Sequence, residues 1–134
     1  MKKNLFMAIT AILMLASCNK QKTFATLNGE WTIVSIDTMN IPESAEAFLG
    51  FNITEQLIYG NTGCNHLTGS MPTQVNASTP IFGAIGSTRR MCADMTVENA
   101  LLPAMAQVVE FKIHGDSLSL LDSNNNIVIS LVKR

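Results

Sequence analysis

Three cysteines and two histidines carry the strongest chemistry in this 134-residue chain: Cys18, Cys64, Cys92, His66 and His114. Cys64, His66, Cys92 and His114 have the donor types of a zinc site, yet a structural zinc needs four donors converging in a tetrahedron. His114 stands in His114-Gly115-Asp116, a turn signal between two alternating segments, where a solvated imidazole is the simpler reading. A Cys64/His66 nucleophile pair would require a tight turn to bring thiol and imidazole within hydrogen-bond reach. The sequence contains no Gly-x-Ser-x-Gly elbow or phosphate-binding glycine loop, and its carboxylates show no pairing for acid–base work. The expectation is therefore a non-enzymatic protein with no cofactor and no metal. Cys64 and Cys92 pair best as a structural disulfide, with two free thiols or a redox or metal role as the alternatives.

Cys18 has a different context. Met1-Lys2-Lys3-Asn4 is a short basic start, and Leu5 to Leu15 is apolar except for Thr10. Eleven helical residues span roughly 16 Å, about half a hydrocarbon core, which reads as a signal segment rather than a span. Leu15-Ala16-Ser17-Cys18 then resembles the bacterial lipobox. The resemblance implies cleavage before Cys18, lipidation of its thiol and acylation of its amine, with palmitate-type chains as the anchor. Residues 1–17 are thus read as a lipoprotein signal peptide, 18–26 as a lipid-anchored tether and 27–134 as the folded domain. Export places Cys64 and Cys92 where disulfides persist, and closing their 27-residue loop is worth roughly 3–4 kcal/mol in the chain-entropy model. No Asp follows Cys18 and no acidic cluster follows it, so the expected place is the outer membrane, facing the periplasm. Without Lys2 and Lys3 the chain has seven basic and ten acidic residues, which argues against nucleic acid as a partner.

The elements that must hold these residues are mostly strands. Trp31, Ile33 and Ser35 alternate with Thr32, Val34 and Ile36 after an Asn28-Gly29 turn. Ile41 to Ser44 reads as a loop or one helical turn. Strands are expected at Phe48–Thr54, Gln56–Asn61, Leu67–Met71, Gln74–Ser78 and Ile81–Ile85. Asp94 or Thr96 caps a helix whose Val97, Leu101, Met105 and Val108 share one face; Pro103 should bend it. Val109–Ile113, Leu118–Leu120 and Ile127–Leu131 form an antiparallel meander. The fold class is α+β, mainly β: a curved antiparallel sheet or partly closed barrel with one packed helix.

Leu27-Asn28-Gly29-Glu30-Trp31, Gly60-Asn61-Thr62-Gly63-Cys64-Asn65 with Gly69, Ser87-Thr88-Arg89-Arg90-Met91-Cys92, and Glu98 together resemble the META domain family, which includes HslJ-like lipoproteins. The resemblance runs from about Leu27 to the end and departs at Arg90 and Pro103. It implies a β-rich fold with one packed helix, an envelope location and a link to stress tolerance. It carries over no catalytic site.

Gln56 to Thr88 is 33 residues without Asp, Glu, Lys or Arg. Such a stretch is either a neutral surface solvated by Asn, Thr, Ser and Gln or a face meant to meet a partner. Arg89-Arg90 ends it, either solvating a loop or holding an anion. Trp31 reads as core. The expected function is a lipid-anchored, monomeric envelope protein that binds or stabilises an envelope protein or lipid partner; the alternative is a periplasmic small-ligand or lipid carrier with its ligand-binding residues unknown.

Overall fold

A computed structural model describes residues 24–72 and 80–134. The signal peptide, Cys18 and the expected strand at Gln74–Ser78 lie outside the described residues, as does most of the tether. Phe24–Leu27 forms a 3-10 turn, followed by β1 (Gly29–Ile36), β2 (Met39–Asn40), β3 (Phe48–Asn52), β4 (Leu57–Asn61), β5 (His66–Ser70) and β6 (Ile85–Ser87). Then come the helix α1 (Thr96–Gln107), β7 (Glu110–His114), β8 (Ser117–Leu121) and β9 (Ile127–Lys133). A single 3-10 turn at Glu43–Ala45 realises the expected loop or helical turn.

Among the described residues nine strands make one antiparallel sheet in the order β6-β5-β4-β3-β1-β9-β8-β7, with β2 against β1. The sheet is curved but not closed, and β6 and β7 are its two ends. Apolar residues on one face form the core, with Trp31, Ile33, Leu49, Phe51, Ile58, Leu67, Leu120, Ile129 and Leu131 buried. The opposite face meets solvent, as period-two alternation requires.

A bulge interrupts that alternation in β1. Against β9 the register runs Ile33 opposite Leu131, then Ser35 opposite Ser130, leaving Val34 as the extra residue. The bulge reverses the parity, so Ile36 joins Trp31 and Ile33 in the core and Ser35 does not. β9 carries its own bulge between its pairings with Leu120 and Leu121, which lets both Val128 and Ile129 face the core.

The N-cap is Met95 rather than Asp94 or Thr96, because Thr96 is already the first helical residue. Asp94, one position earlier, accepts the N–H of Thr96 at 2.9 Å, and its hydrogen bonds with the Thr96 side chain and backbone hold its carboxyl below its ordinary value. Leu101, Ala104 and Met105 are buried, and α1 lies across β1 and β9. Pro103 is exposed and takes the helical donor from the Asn99 carbonyl, and α1 continues through it to Gln107.

The expected strand at Ile81–Ile85 is shifted. Ile81 donates to the Val108 carbonyl and Gly83 to the Ser70 carbonyl, so this backbone divides its bonds between the two ends of the sheet. Ile81 and Phe82 are buried as an apolar plug between those ends, and pairing with β5 starts at Ile85.

Trp31 locks the entry to the fold: its ring is buried and Nε1–H donates to the Leu27 carbonyl at 2.8 Å. Trp31→Phe leaves that carbonyl unpaired and part of the ring volume empty. Urea denaturation should show a loss of about 2–3 kcal/mol, against a change within about 0.5 kcal/mol for the exposed Val34→Thr.

Candidate functional site

Of the residues singled out for chemistry, Cys64 and Cys92 meet beside the corner between β4 and β5. The turn Thr62–Asn65 reverses the chain, with Gly63 at φ +96°, a backbone conformation that suits glycine. Asn61 Oδ1 fixes the turn by accepting the Gly63 N–H at 2.7 Å. Two polar side chains then turn inward: Thr62 and Asn65 are 0% and 2% exposed.

They are buried because Glu98, in the first turn of α1, is buried with them. Glu98 Oε1 accepts the Thr62 hydroxyl at 2.8 Å and the Asn65 side-chain amide at 2.8 Å. The Thr62 oxygen in turn accepts the Asn65 N–H at 2.9 Å. Asn65 also spans the gap to residues 88–90: Nδ2 donates to the Arg90 carbonyl at 3.0 Å, and Oδ1 accepts the Thr88 hydroxyl at 2.8 Å and the Arg90 N–H at 2.7 Å. Both amide donors and both acceptor positions are in use. Arg90 Nη2 donates back to the Cys64 carbonyl at 3.1 Å. A disulfide between Cys64 and Cys92, Cα atoms 5.9 Å apart, closes the same junction.

This clasp joins the β4–β5 corner, the segment before α1 and the helix itself. Its chemistry is saturated. The disulfide occupies both sulfurs, and no buried side-chain nitrogen or oxygen among the described residues lacks a hydrogen-bond partner. His66 is exposed at the start of β5, and His114 is exposed at the end of β7, near the opposite end of the sheet order. The four donors considered for zinc are not brought together. Thr62 and Asn65 were visible in the sequence only as turn residues, and Glu98 only as a carboxylate suited to a helix start. A Thr and an Asn flanking a Gly-Cys turn, with a carboxylate at the only predicted helix N-terminus, is the signal that could have joined them.

The second feature lies on the outer face of the sheet. Cross-strand pairing sets Glu30, Gly50, Tyr59, Thr68 and Gly86 in one row across β1, β3, β4, β5 and β6. The Tyr59 ring leans over Gly50, where a Cβ would run into it. It stands edge-on to Phe48 at 6.3 Å, and the Arg134 guanidinium covers Phe48 at 4.4 Å. Tyr59 donates to Glu30 Oε1 at 3.2 Å, and Glu30 pairs with Arg134 at 3.5 Å. Partial burial, then the Glu30 charge and hydrogen bond, push the Tyr59 phenol above its usual value, so it remains a donor at neutral pH.

Because Tyr59 leans toward β3, the surface beside it over β5 and β6 is low. A groove of about 450 Å³ results, with Leu57 and Tyr59 as a wall, Thr68, Ser70, Ala84 and Gly86 as its small-residue lining, and Asn52 and Glu55 at one end. Leu57 and Tyr59 are exposed there. Most of this lining belongs to the charge-free stretch Gln56–Thr88. The arrangement offers an apolar wall and neutral hydrogen-bonding groups, a setting for binding.

Glu98→Ala deprives Thr62 and Asn65 of their shared acceptor and should cost about 3 kcal/mol in urea denaturation, whereas Thr62→Ser keeps the hydroxyl and should cost less than about 1.5 kcal/mol. Reduction of Cys64–Cys92 should lower stability by roughly 3–4 kcal/mol, read from the shift in the same transition with and without dithiothreitol.

No curated protein matches the chain. An NMR structure of a protein from Burkholderia xenovorans is similar, with a TM-score of 0.63 and 19% identity over 82% of this chain and 85% of the other. A crystal structure of a DUF4847 family protein from Bacteroides vulgatus has a TM-score of 0.56 and 10% identity over 81% and 94% of the two chains. At these identities the likeness concerns the fold. The META domain model matches residues 22–134, a span that takes in the clasp, the groove and every described strand, and the chain belongs to the META domain family.

Proposed function

We propose that this protein is a lipid-anchored, non-enzymatic component of the bacterial cell envelope whose META domain binds or steadies an envelope partner, in a role connected with stress tolerance. The observation that carries the reading is the contrast between the two features of the domain. The clasp spends its polar groups on its own cohesion, while the outer groove leaves an apolar wall and neutral polar groups facing solvent. A disulfide within the clasp suits an oxidising compartment. The Leu15-Ala16-Ser17-Cys18 segment directs a chain there and supplies the anchor. Tethering at Cys18, on the outer membrane and facing the periplasm, confines the monomeric domain near its partner and raises the effective concentration of each for the other.

The carrier alternative requires a cavity between helix and sheet. Leu101 and Met105 of α1 are instead part of one buried cluster with Trp31 and Ile33 of β1, so a small ligand would have to use the outer groove.

Metabolic labelling of living cells with an alkyne palmitate analogue tests the anchor. Label should enter the wild type and be absent from Cys18→Ala, which should move from the membrane to the soluble fraction; label persisting on Cys18→Ala would overturn the anchor. The partner is tested in the same cells with benzoylphenylalanine at Val34, Leu57, Met91 or Ile127, exposed apolar positions distributed over the domain. A discrete photocrosslinked product from at least one position is expected, and none from any of the four would overturn partner binding.

A further inference from the structure

The end of the sheet at β6 combines three properties that belong to a peptide-binding edge. Thr88 donates to the His66 carbonyl, and Ser87, Gly86 and Ile85 face Leu67, Thr68 and Gly69 in turn. In an antiparallel pair the hydrogen-bonded and non-hydrogen-bonded positions alternate, so the N–H and C=O groups of Ile85 and Ser87 point away from β5. No strand pairs with that side among the described residues. Natural edges are usually blocked by charge or proline; here Ala84 to Thr88 contains neither.

The groove opens onto this edge. Its outer-face row ends at Gly86, where a Cβ would meet nothing within 4 Å. A side chain from a strand added beside β6 therefore has room to lie over Gly86 toward Thr68 and the Leu57–Tyr59 wall. The third property is charge. Arg89 follows the edge directly, is exposed, and has no hydrogen-bond or ion-pair partner among the described residues, unlike Arg90, which is spent on the clasp. A second copy pairing antiparallel about Gly86 would set Gly83 opposite Arg89 and leave the guanidinium unmatched.

We propose that β6 receives an extended segment of an envelope protein by strand addition, with an apolar side chain in the groove and a carboxylate of the same segment on Arg89. This rests on the partner-binding reading above and assigns it a surface. Backbone bonds from Ile85 and Ser87 supply the pairing, and the groove and Arg89 supply the selection.

The test uses the full-length, membrane-anchored chain in living cells. With benzoylphenylalanine at Leu57, the crosslinked peptide, sequenced by mass spectrometry, should come from an extended, otherwise uncharged stretch bearing an Asp or Glu. Ser87→Pro removes an outward N–H that β5 does not use, and Arg89→Glu reverses the charge. Ser87→Pro, which removes one neutral backbone hydrogen bond, should lower the Leu57 crosslinking yield about fivefold, and Arg89→Glu, which removes a charge-assisted one, at least about tenfold. Resistance of the domain to limited proteolysis, matched to the wild type, reports that each variant is folded, and Arg89→Glu, an exposed substitution, keeps the test open if Ser87→Pro does not fold. A Leu57 product that is lipid or a second copy of this chain overturns the proposal. So does a yield unchanged in the folded variants. A product from Val34, Met91 or Ile127 without one from Leu57 removes this surface and leaves the partner reading standing; the absence of any product removes both.

Discussion

A carboxylate placed at the start of the only helix of the described structure, and then covered by protein, has to be given donors. Glu98 is in that position, and no lysine or arginine side chain among the described residues is paired with it. Its donors are the hydroxyl of Thr62 and the amide of Asn65. Those two side chains face inward only if the chain between β4 and β5 turns tightly at Gly63. Once Asn65 faces inward, its remaining donor and acceptor need partners too, and they take the backbone of Arg90 and the hydroxyl of Thr88. One buried charge thereby determines the shape of a corner, the path of the segment that follows β6 and the entry of the helix. The disulfide strengthens a junction that the polar network already defines.

The open sheet still buries its core. β6 and β7 do not pair, and the gap between them is filled by Ile81 and Phe82 from the chain that leads into β6. The helix covers the middle of the sheet at β1 and β9, with its N-terminal turn held by the clasp. The buried polar groups are thus concentrated at one corner and satisfied there, while the solvent face is left with a groove bordered by Leu57 and Tyr59, with Glu55 at one end. The glycine at position 50 matters to that face because it admits the Tyr59 ring and so determines the side toward which the ring leans.

Much of the fold was legible in the residues. The meander from β7 to β9 follows from alternation, broken only by the β9 bulge, and from Gly115 and the Asp122–Asn126 turn, where Asp122 accepts two backbone N–H groups. The helix follows from the spacing of Leu101 and Met105, although its cap is Met95 and not Asp94 or Thr96. Bulges are harder: nothing in Ile33-Val34-Ser35-Ile36 marks Val34 as the extra residue, since register is decided by pairing with a strand almost a hundred residues away. The Ile81–Phe82 run reads as a strand because burial and alternation look alike over so short a length, and only the division of its hydrogen bonds between Val108 and Ser70 tells them apart. In the clasp, Cys64 and Cys92 were legible by type and compartment. Thr62 and Asn65 were not, because their roles depend on a carboxylate more than thirty residues away.

The middle of the sheet is made by β1 and β9, the first and last strands in the described order. Neither half of the sheet can be completed by local steps alone, since β3 to β6 extend from one side of this pair and β8 and β7 from the other. The loop that must be closed spans nearly the whole domain, which puts folding in the slow, milliseconds-to-seconds regime of non-local β topologies. Until residues 127–133 are available, β1 lacks a central neighbour and α1 has only half of its seat. The order of strands therefore ties completion of the sheet, and of the seat for α1, to the last of the described strands.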